Sequence, residues 1–340
     1  MSGRQPALDG LRALAILIVM ISHAGLGQIV PGGFGVTIFF FLSGYLITNL
    51  MVKEWDKTER LDFRVFYLKR AIRIVPPIII AILCAVALAL AGVGREMNYG
   101  CLAYDFFFMA NYSSELGCQS NIPIPLWSLA VEEHFYLVFP FVFFALRRRF
   151  GSGRVAVACL ALSAAVLLIR IGYVATSGPN ENLYYWSHTR IDSILFGCIL
   201  ATWNNPATRD RTYIGGHIGY ALVGAALILV TLAVRDPAFR DTWRFTIQGA
   251  GLFLLFNYAL RNTGFVARIL SASWLRYVAY LSYFLYLIHV PLLLAASHLP
   301  VPVWAQYAAG IALSFLAADI VRRRVELPLH RWRDRFVTRG

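Results

Sequence analysis

Charge is scarce in this sequence. Only 14% of its 340 residues are Asp, Glu, Lys or Arg, while 59% are hydrophobic; a soluble globular domain carries about 25% charged residues. The shortage excludes a soluble domain, because so much apolar surface has no place in water, and the composition is that of a membrane protein. Acidic residues are the scarcer kind, 18 against 31 basic, which leaves a formal charge of +13. A basic balance can signal nucleic acid, but here the basic residues gather in a few loops between apolar runs, so no nucleic-acid partner is expected. Closely paired cysteines are also lacking. The five at 84, 101, 118, 159 and 198 do not have the spacing of a zinc or redox site, so no metal is expected. No small-residue cleavage site follows the first apolar run, which reads as a span rather than a removable signal. No repeat with a period of about 20 to 50 residues and no Pro/Ser-rich linker is visible, so residues 1–340 are expected to form a single membrane domain.

A spanning helix needs about 20 predominantly apolar residues. Ten stretches qualify: 11–27, 34–52, 74–93, 127–146, 154–174, 186–203, 213–234, 243–260, 276–297 and 304–321. If the amino terminus is cytoplasmic, the inner loops hold Lys53, Lys57, Arg60, Arg64, Lys69, Arg70 and Arg73, then Arg147, Arg148 and Arg149, then Arg209 and Arg211, then Arg261 and Arg268. The alternate loops contain only Arg95, Arg235 and Arg240. This positive-inside bias predicts an all-α, polytopic bundle of about ten transmembrane helices in the cell membrane, with both termini cytoplasmic and a basic tail at 322–340. It makes Tyr99 to Tyr112 an external or re-entrant element, since an eleventh crossing would invert every later loop. Cys101 and Cys118 share the outer loop 94–126, where they either form a disulfide or remain thiols.

Charged groups inside spans cost at least about 2.5 kcal/mol each on insertion scales, so each is a candidate for function. Asp9 and Arg12 lie near the inner end of the first span and His23 near its outer end. Arg12 and His23 are separated by close to three turns and share one helix face, giving a polar stripe through the bilayer. Arg12 reads alternatively as a snorkelling anchor, and His23 as a core histidine bonded to a backbone carbonyl. The fourth span runs inward and carries Glu132 and Glu133 at the depth of His23. A carboxylate beside an imidazole holds its tautomer and stabilises its protonated form, as a general base requires. Only one of two adjacent glutamates can face His23; the alternative is a glutamate paired with an arginine of a neighbouring span. Arg190, Asp192 and His289, also in the outer half, could line a polar acceptor pocket, whereas His134 and His188 are expected in packing or interfacial roles. Lys69, Arg70 and Arg73 enter the third span. Arg70 and Arg73 stack on one face, where two guanidinia can grip phosphates; a plain positive-inside cluster would look the same.

Six segments, read in order, resemble the acyltransferase family 3 of integral membrane acyltransferases. They are Leu8-Asp-Gly-Leu-Arg-Ala-Leu-Ala15 followed by His23, Gly35 to Ile47, Arg70-x-x-Arg73, Trp127-Ser-Leu-Ala-Val-Glu-Glu133, Arg190-Ile-Asp192, and Ser282-Tyr283 leading to His289. The resemblance spans nearly the whole chain. It implies transfer of an acyl group, usually acetyl, from cytoplasmic acyl-coenzyme A to a hydroxyl of a carbohydrate or other acceptor, with no permanently bound cofactor. By the same resemblance His23 is the essential histidine, Arg70 and Arg73 with Lys69 beside them meet the donor, and Arg12 and Glu132 match further polar positions. Asp9, Ser43, Trp127, Ser128, Glu133, Arg190, Asp192, Tyr286 and His289 are the remaining substrate-binding candidates. His134 departs from the glutamine usual after the glutamate pair. Some relatives continue into a soluble hydrolase-like domain; this sequence is expected to complete transfer without one or with a separate partner.

The expected chemistry places donor phosphates at Arg70 and Arg73 and the thioester near His23, with His23 and Glu132 as the catalytic pair. Either His23 removes the acceptor proton directly, worth about 10²- to 10⁴-fold, or an acyl-histidine forms. Two rival readings use the same buried charges: a transporter or exporter of a glycolipid or small anionic solute, and a non-catalytic sensor or assembly subunit.

Overall fold

Long apolar stretches with few charges can satisfy their backbone groups in lipid only as helices or a closed barrel, and here they are helices. The structure, a computed structural model, describes residues 5–207 and 212–337, the last with the side chains of Asp334, Phe336 and Val337 left aside. Arg209, Arg211 and Arg339 of the expected inner clusters lie outside the described residues. The principal helices are α1 (Pro6–Ile21), α2 (Gly32–Thr58), α3 (Phe63–Leu90), α4 (Leu126–Phe150), α5 (Ser152–Ser177), α6 (Asp192–Trp203), α7 (Ile218–Ala233), α8 (Trp243–Arg261), α9 (Ser273–Ala296), α10 (Val303–Val321) and α11 (Leu327–Val337). There is no strand among the described residues. Among the described residues seven helices are long and apolar enough to cross a membrane, and α6 and α7 are shorter apolar helices. The protein is an all-α, multi-pass membrane protein.

Several boundaries differ from the apolar runs, for local reasons. α3 starts ahead of its apolar run because Asp62 caps it, its carboxylate accepting the Val65 N–H at 2.9 Å. Lys69, Arg70 and Arg73 are therefore helical residues of α3 rather than loop residues. The stretch 186–203 is divided: a short helix Ser187–Arg190 ends at Ile191, and α6 resumes at Asp192. Between α3 and α4 the chain forms only short turns, Tyr99–Cys101, Leu102–Phe106 and Ala110–Tyr112. None of these is long enough to cross a bilayer. Cys101 and Cys118 are joined as a disulfide there, with a Cα–Cα distance of 5.5 Å. The basic segment after α10 is itself helical, and α11 packs against α3.

The helices group into two compact units interleaved in the sequence. The first takes the chain up to Ala15, Gly33–Leu61 and Trp127–Arg276; the second takes Ile16–Gly32, Asp62–Leu126 and the chain from Tyr277 onward. Within the first, α2 and α6 touch through Gly44 and Gly197. A Cβ on either would strike backbone, at Ile194 O and Phe41 O respectively, so these positions let two backbones meet without side chains between them. Within the second, Gly310 of α10 lies against Leu293 of α9.

Candidate functional site

In the second unit α1 stops being regular just as it reaches His23. The turn widens over Ser22–Leu26, Ala24 leaves helical geometry at φ −84° and ψ 38°, and Gly25 takes φ 87°. That left-handed value favours glycine, and a Cβ there would lie 2.7 Å from the Tyr307 ring. The bend thus holds His23 at the end of the helix with its side chain still exposed. His289 on α9 is fully buried beside it. Its Nε2 lies 3.1 Å from His23 Nδ1, and its own Nδ1 lies 2.9 Å from Leu285 O. The Tyr286 ring flanks His289 at 6.0 Å between centroids.

Donor and acceptor bookkeeping assigns the protons of this pair. A carbonyl only accepts, so His289 Nδ1 carries the hydrogen, and neutral His289 then offers a lone pair at Nε2. His23 must donate from Nδ1, which leaves His23 Nε2 as the unprotonated nitrogen. The pairing was missed from sequence because the two histidines are 266 positions apart.

The basic residues of α3 lie in the same unit. Lys69 and Arg73 are exposed and Arg70 is half-buried, with the Arg70 guanidinium 5.9 Å from the Phe66 ring centre. The segment Arg322–Glu326 and α11 both pack on α3. They bring further arginines, among them Arg322 at 4.3 Å from the Tyr280 ring.

The remaining expected residues belong to the first unit. Asp9 and Arg12 on α1 and Ser43 on α2 are half-buried. At the start of α4, Ser128 is buried and Trp127 is packed among Phe40, Tyr184 and Tyr185, with centroids 4.9 to 6.1 Å away. Glu132 accepts the Tyr136 hydroxyl at 3.0 Å, and Glu133 is half-buried. His134 Nδ1 meets Ser187 Oγ at 2.7 Å, and His188 stacks on Trp186.

Asp192 is partnered from another helix. Its ion pair is with Arg170 of α5, Nη2 to Oδ2 at 2.7 Å, both side chains fully buried. Thr246 Oγ1 donates to the same oxygen at 2.8 Å, and Arg170 Nε reaches Thr242 O at 3.0 Å. Arg170, a lone charge in an apolar run, belongs to none of the sequence segments that carry the other candidates. Arg190 instead reaches Thr37 Oγ1 at 3.4 Å and lies 3.5 Å from the Phe245 ring centre. Its Nε and Nη1 are buried without a hydrogen-bond partner.

No group of three or more His, Cys, Asp or Glu among the described residues could hold a metal ion. The arrangement supplies an exposed imidazole with a fixed lone pair, a basic surface on α3, and a buried arginine cluster.

No solved structure matches the chain. The O-acetyltransferase OatA of Staphylococcus aureus is 30% identical over 351 aligned positions, covering 96% of this chain and 57% of that protein. The peptidoglycan O-acetyltransferase OatA of Listeria monocytogenes is 28% identical, covering 96% of this chain and 56% of its own length. The chain thus spans little more than half the length of the curated relatives it matches. The profile described as the acyltransferase domain matches residues 5–323. The chain belongs to the acyltransferase domain family.

Proposed function

We propose that this protein is a membrane O-acyltransferase that moves an acyl group, acetyl being the first to test, from a cytoplasmic acyl-coenzyme A to a hydroxyl of a carbohydrate acceptor. The observation that carries the reading is the 3.1 Å contact between His289 Nε2 and His23 Nδ1, which assigns the base to His23 Nε2. It takes the acceptor hydroxyl proton while that oxygen attacks the thioester carbonyl. The tetrahedral oxyanion collapses, the C–S bond breaks, and the departing thiolate takes the proton from the imidazolium. The products are an ester and coenzyme A, and His23 returns to its starting form. Throughout, His23 Nδ1–H stays bonded to His289, so the ring does not have to turn over between steps.

Lys69, Arg70 and Arg73 fit the donor phosphates, since α3 presents them on the unit that holds His23 and guanidinia match phosphate oxygens in a fork. Glu132 is assigned a supporting catalytic role. The carbohydrate acceptor is supported by the names of the relatives, one of them a peptidoglycan O-acetyltransferase.

Membranes containing the protein should release free coenzyme A from acetyl-coenzyme A only when a glycan acceptor is supplied, and His23→Ala should abolish that release while inserting normally. Full activity in His23→Ala would overturn the assignment of the base. Acceptor uptake without release of coenzyme A would favour the transporter reading.

A further inference from the structure

Beside the buried arginine cluster of the first unit is a cleft of about 530 Å³, none of whose lining residues is assigned a part in the steps above. Its walls are the turn Glu181–Tyr184 with Tyr185, and the short helix Pro237–Asp241 with Arg244 at the start of α8. The two walls are tied together where Asp241 Oδ2 accepts the Asn180 N–H at 3.0 Å. Two tyrosines, Arg240, Arg244, Glu181 and Asp241 face the space. Both walls belong to loops that the arginine asymmetry assigns to the outer side.

With the buried Arg190 included, arginines outnumber acids at this cleft. Two arginines at the wall face two acids, but directly behind Tyr184 lies Arg190, 4.9 Å from that ring centre and 3.5 Å from Phe245. Arg244 lies 4.5 Å from the same Phe245 ring. Asp192 is taken by Arg170, and no carboxylate among the described residues forms an ion pair with Arg190 or Arg244. Arg244 Nε, like two nitrogens of Arg190, is buried with no hydrogen-bond partner. Asp241 acts on Arg244, and Asp192 on Arg190, without forming an ion pair with it; a buried cation so weakly compensated is costly, and an incoming anion relieves the cost. The tyrosine rings offer apolar faces with polar tips, as a sugar ring needs, and Glu181 and Asp241 can accept from its hydroxyls.

We infer that this cleft binds the acceptor as a saccharide bearing an anionic group, with Arg244 meeting the anion and Tyr184 and Tyr185 meeting the sugar. The inference rests on the acyltransferase reading for calling the ligand an acceptor, but the binding itself is testable without chemistry.

The test is saccharide binding by the full chain in detergent, with no acyl donor, followed by ligand-observed NMR and calorimetry. The probes are a neutral N-acetylglucosamine trimer and a trisaccharide containing glucuronic acid. The acidic probe should bind roughly tenfold or more tightly, the scale of one charge-assisted fork, and Arg244→Gln should erase that preference while leaving the neutral probe nearly unchanged. His23→Ala should bind both probes as the parent does. If His23→Ala binds normally and yet transfers acyl groups, the catalytic reading fails and the cleft stands. Equal affinity for the two probes, no binding of either, an unaltered preference in Arg244→Gln, or displacement of the acidic probe by coenzyme A would each overturn the cleft assignment.

Discussion

His23 and His289 differ in what surrounds them, and the difference sets what each does. His23 is exposed, whereas His289 is enclosed and bonded at both ring nitrogens. On the proposed mechanism His289 is a positioning residue: it accepts from His23 Nδ1 and leaves His23 Nε2 to act as the base. His289→Gln supplies a carbonyl oxygen that can accept the same hydrogen, while His289→Leu does not. The leucine variant should lose a large part of the about 10²- to 10⁴-fold that a general base contributes, mainly in kcat, and the glutamine variant should recover much of it. Equal loss in the two would show that His289 only fills space. Arg170 makes a different demand. Arg170→Leu strands the buried Asp192 carboxylate and should cost about 3–5 kcal/mol, and Arg170→Met combined with Asp192→Leu should restore a good part of it in thermal unfolding. The place of His23 near the end of the first apolar span was readable from the sequence. Its partner and that of Asp192 were not, because spacing along one helix says nothing about which helix packs beside it.

Among the elements, the bend after α1 and the outer loop are the most exposed to test. Gly25→Ala would force an L side chain into a left-handed backbone and against Tyr307, moving His23 off its helix end. Acyl transfer should fall with little loss of membrane insertion. The loop between α3 and α4 carries the disulfide across a 17-residue separation, so Cys101→Ser should weaken it by about 3 kcal/mol, seen as faster hydrogen exchange over residues 94–126. The same loop buries Asp105, and burial pushes its carboxyl above the usual range, opposed by a hydrogen bond from Ser120. A carboxyl raised in the folded state holds its proton more tightly than the unfolded chain does. Its contribution is complete below the unfolded carboxyl value and is lost as pH rises through the folded one. Asp105→Asn should flatten that dependence of loop protection on pH. The apolar runs located the helices, but not the early start of α3 or the break before α6. Those depend on a cap at Asp62 and a turn at Ile191, which hydrophobicity does not register.

For the molecule as a whole, the distribution of lysine and arginine makes a topological prediction that helix lengths alone leave open. Cysteines introduced singly near Lys57, Arg148 and Arg268 should react with an impermeant thiol reagent only after the inner face is opened, and ones near Glu115 and Pro237 should react from outside. The opposite pattern would invert the donor and acceptor sides proposed above. The interleaving of the two units reaches beyond topology, to the order in which the chain can be made. Ile16–Gly32 leaves the ribosome early, but the helix that supplies its partner His289 follows the last segment of the first unit. A chain stopped at Arg276 contains every residue of the first unit but only the opening turn of α9. It would carry His23 with no His289 to hold its proton in place. Nascent chains are thus without the proposed base in working form until α9 has been made, and no contiguous fragment contains the second unit without also carrying most of the first.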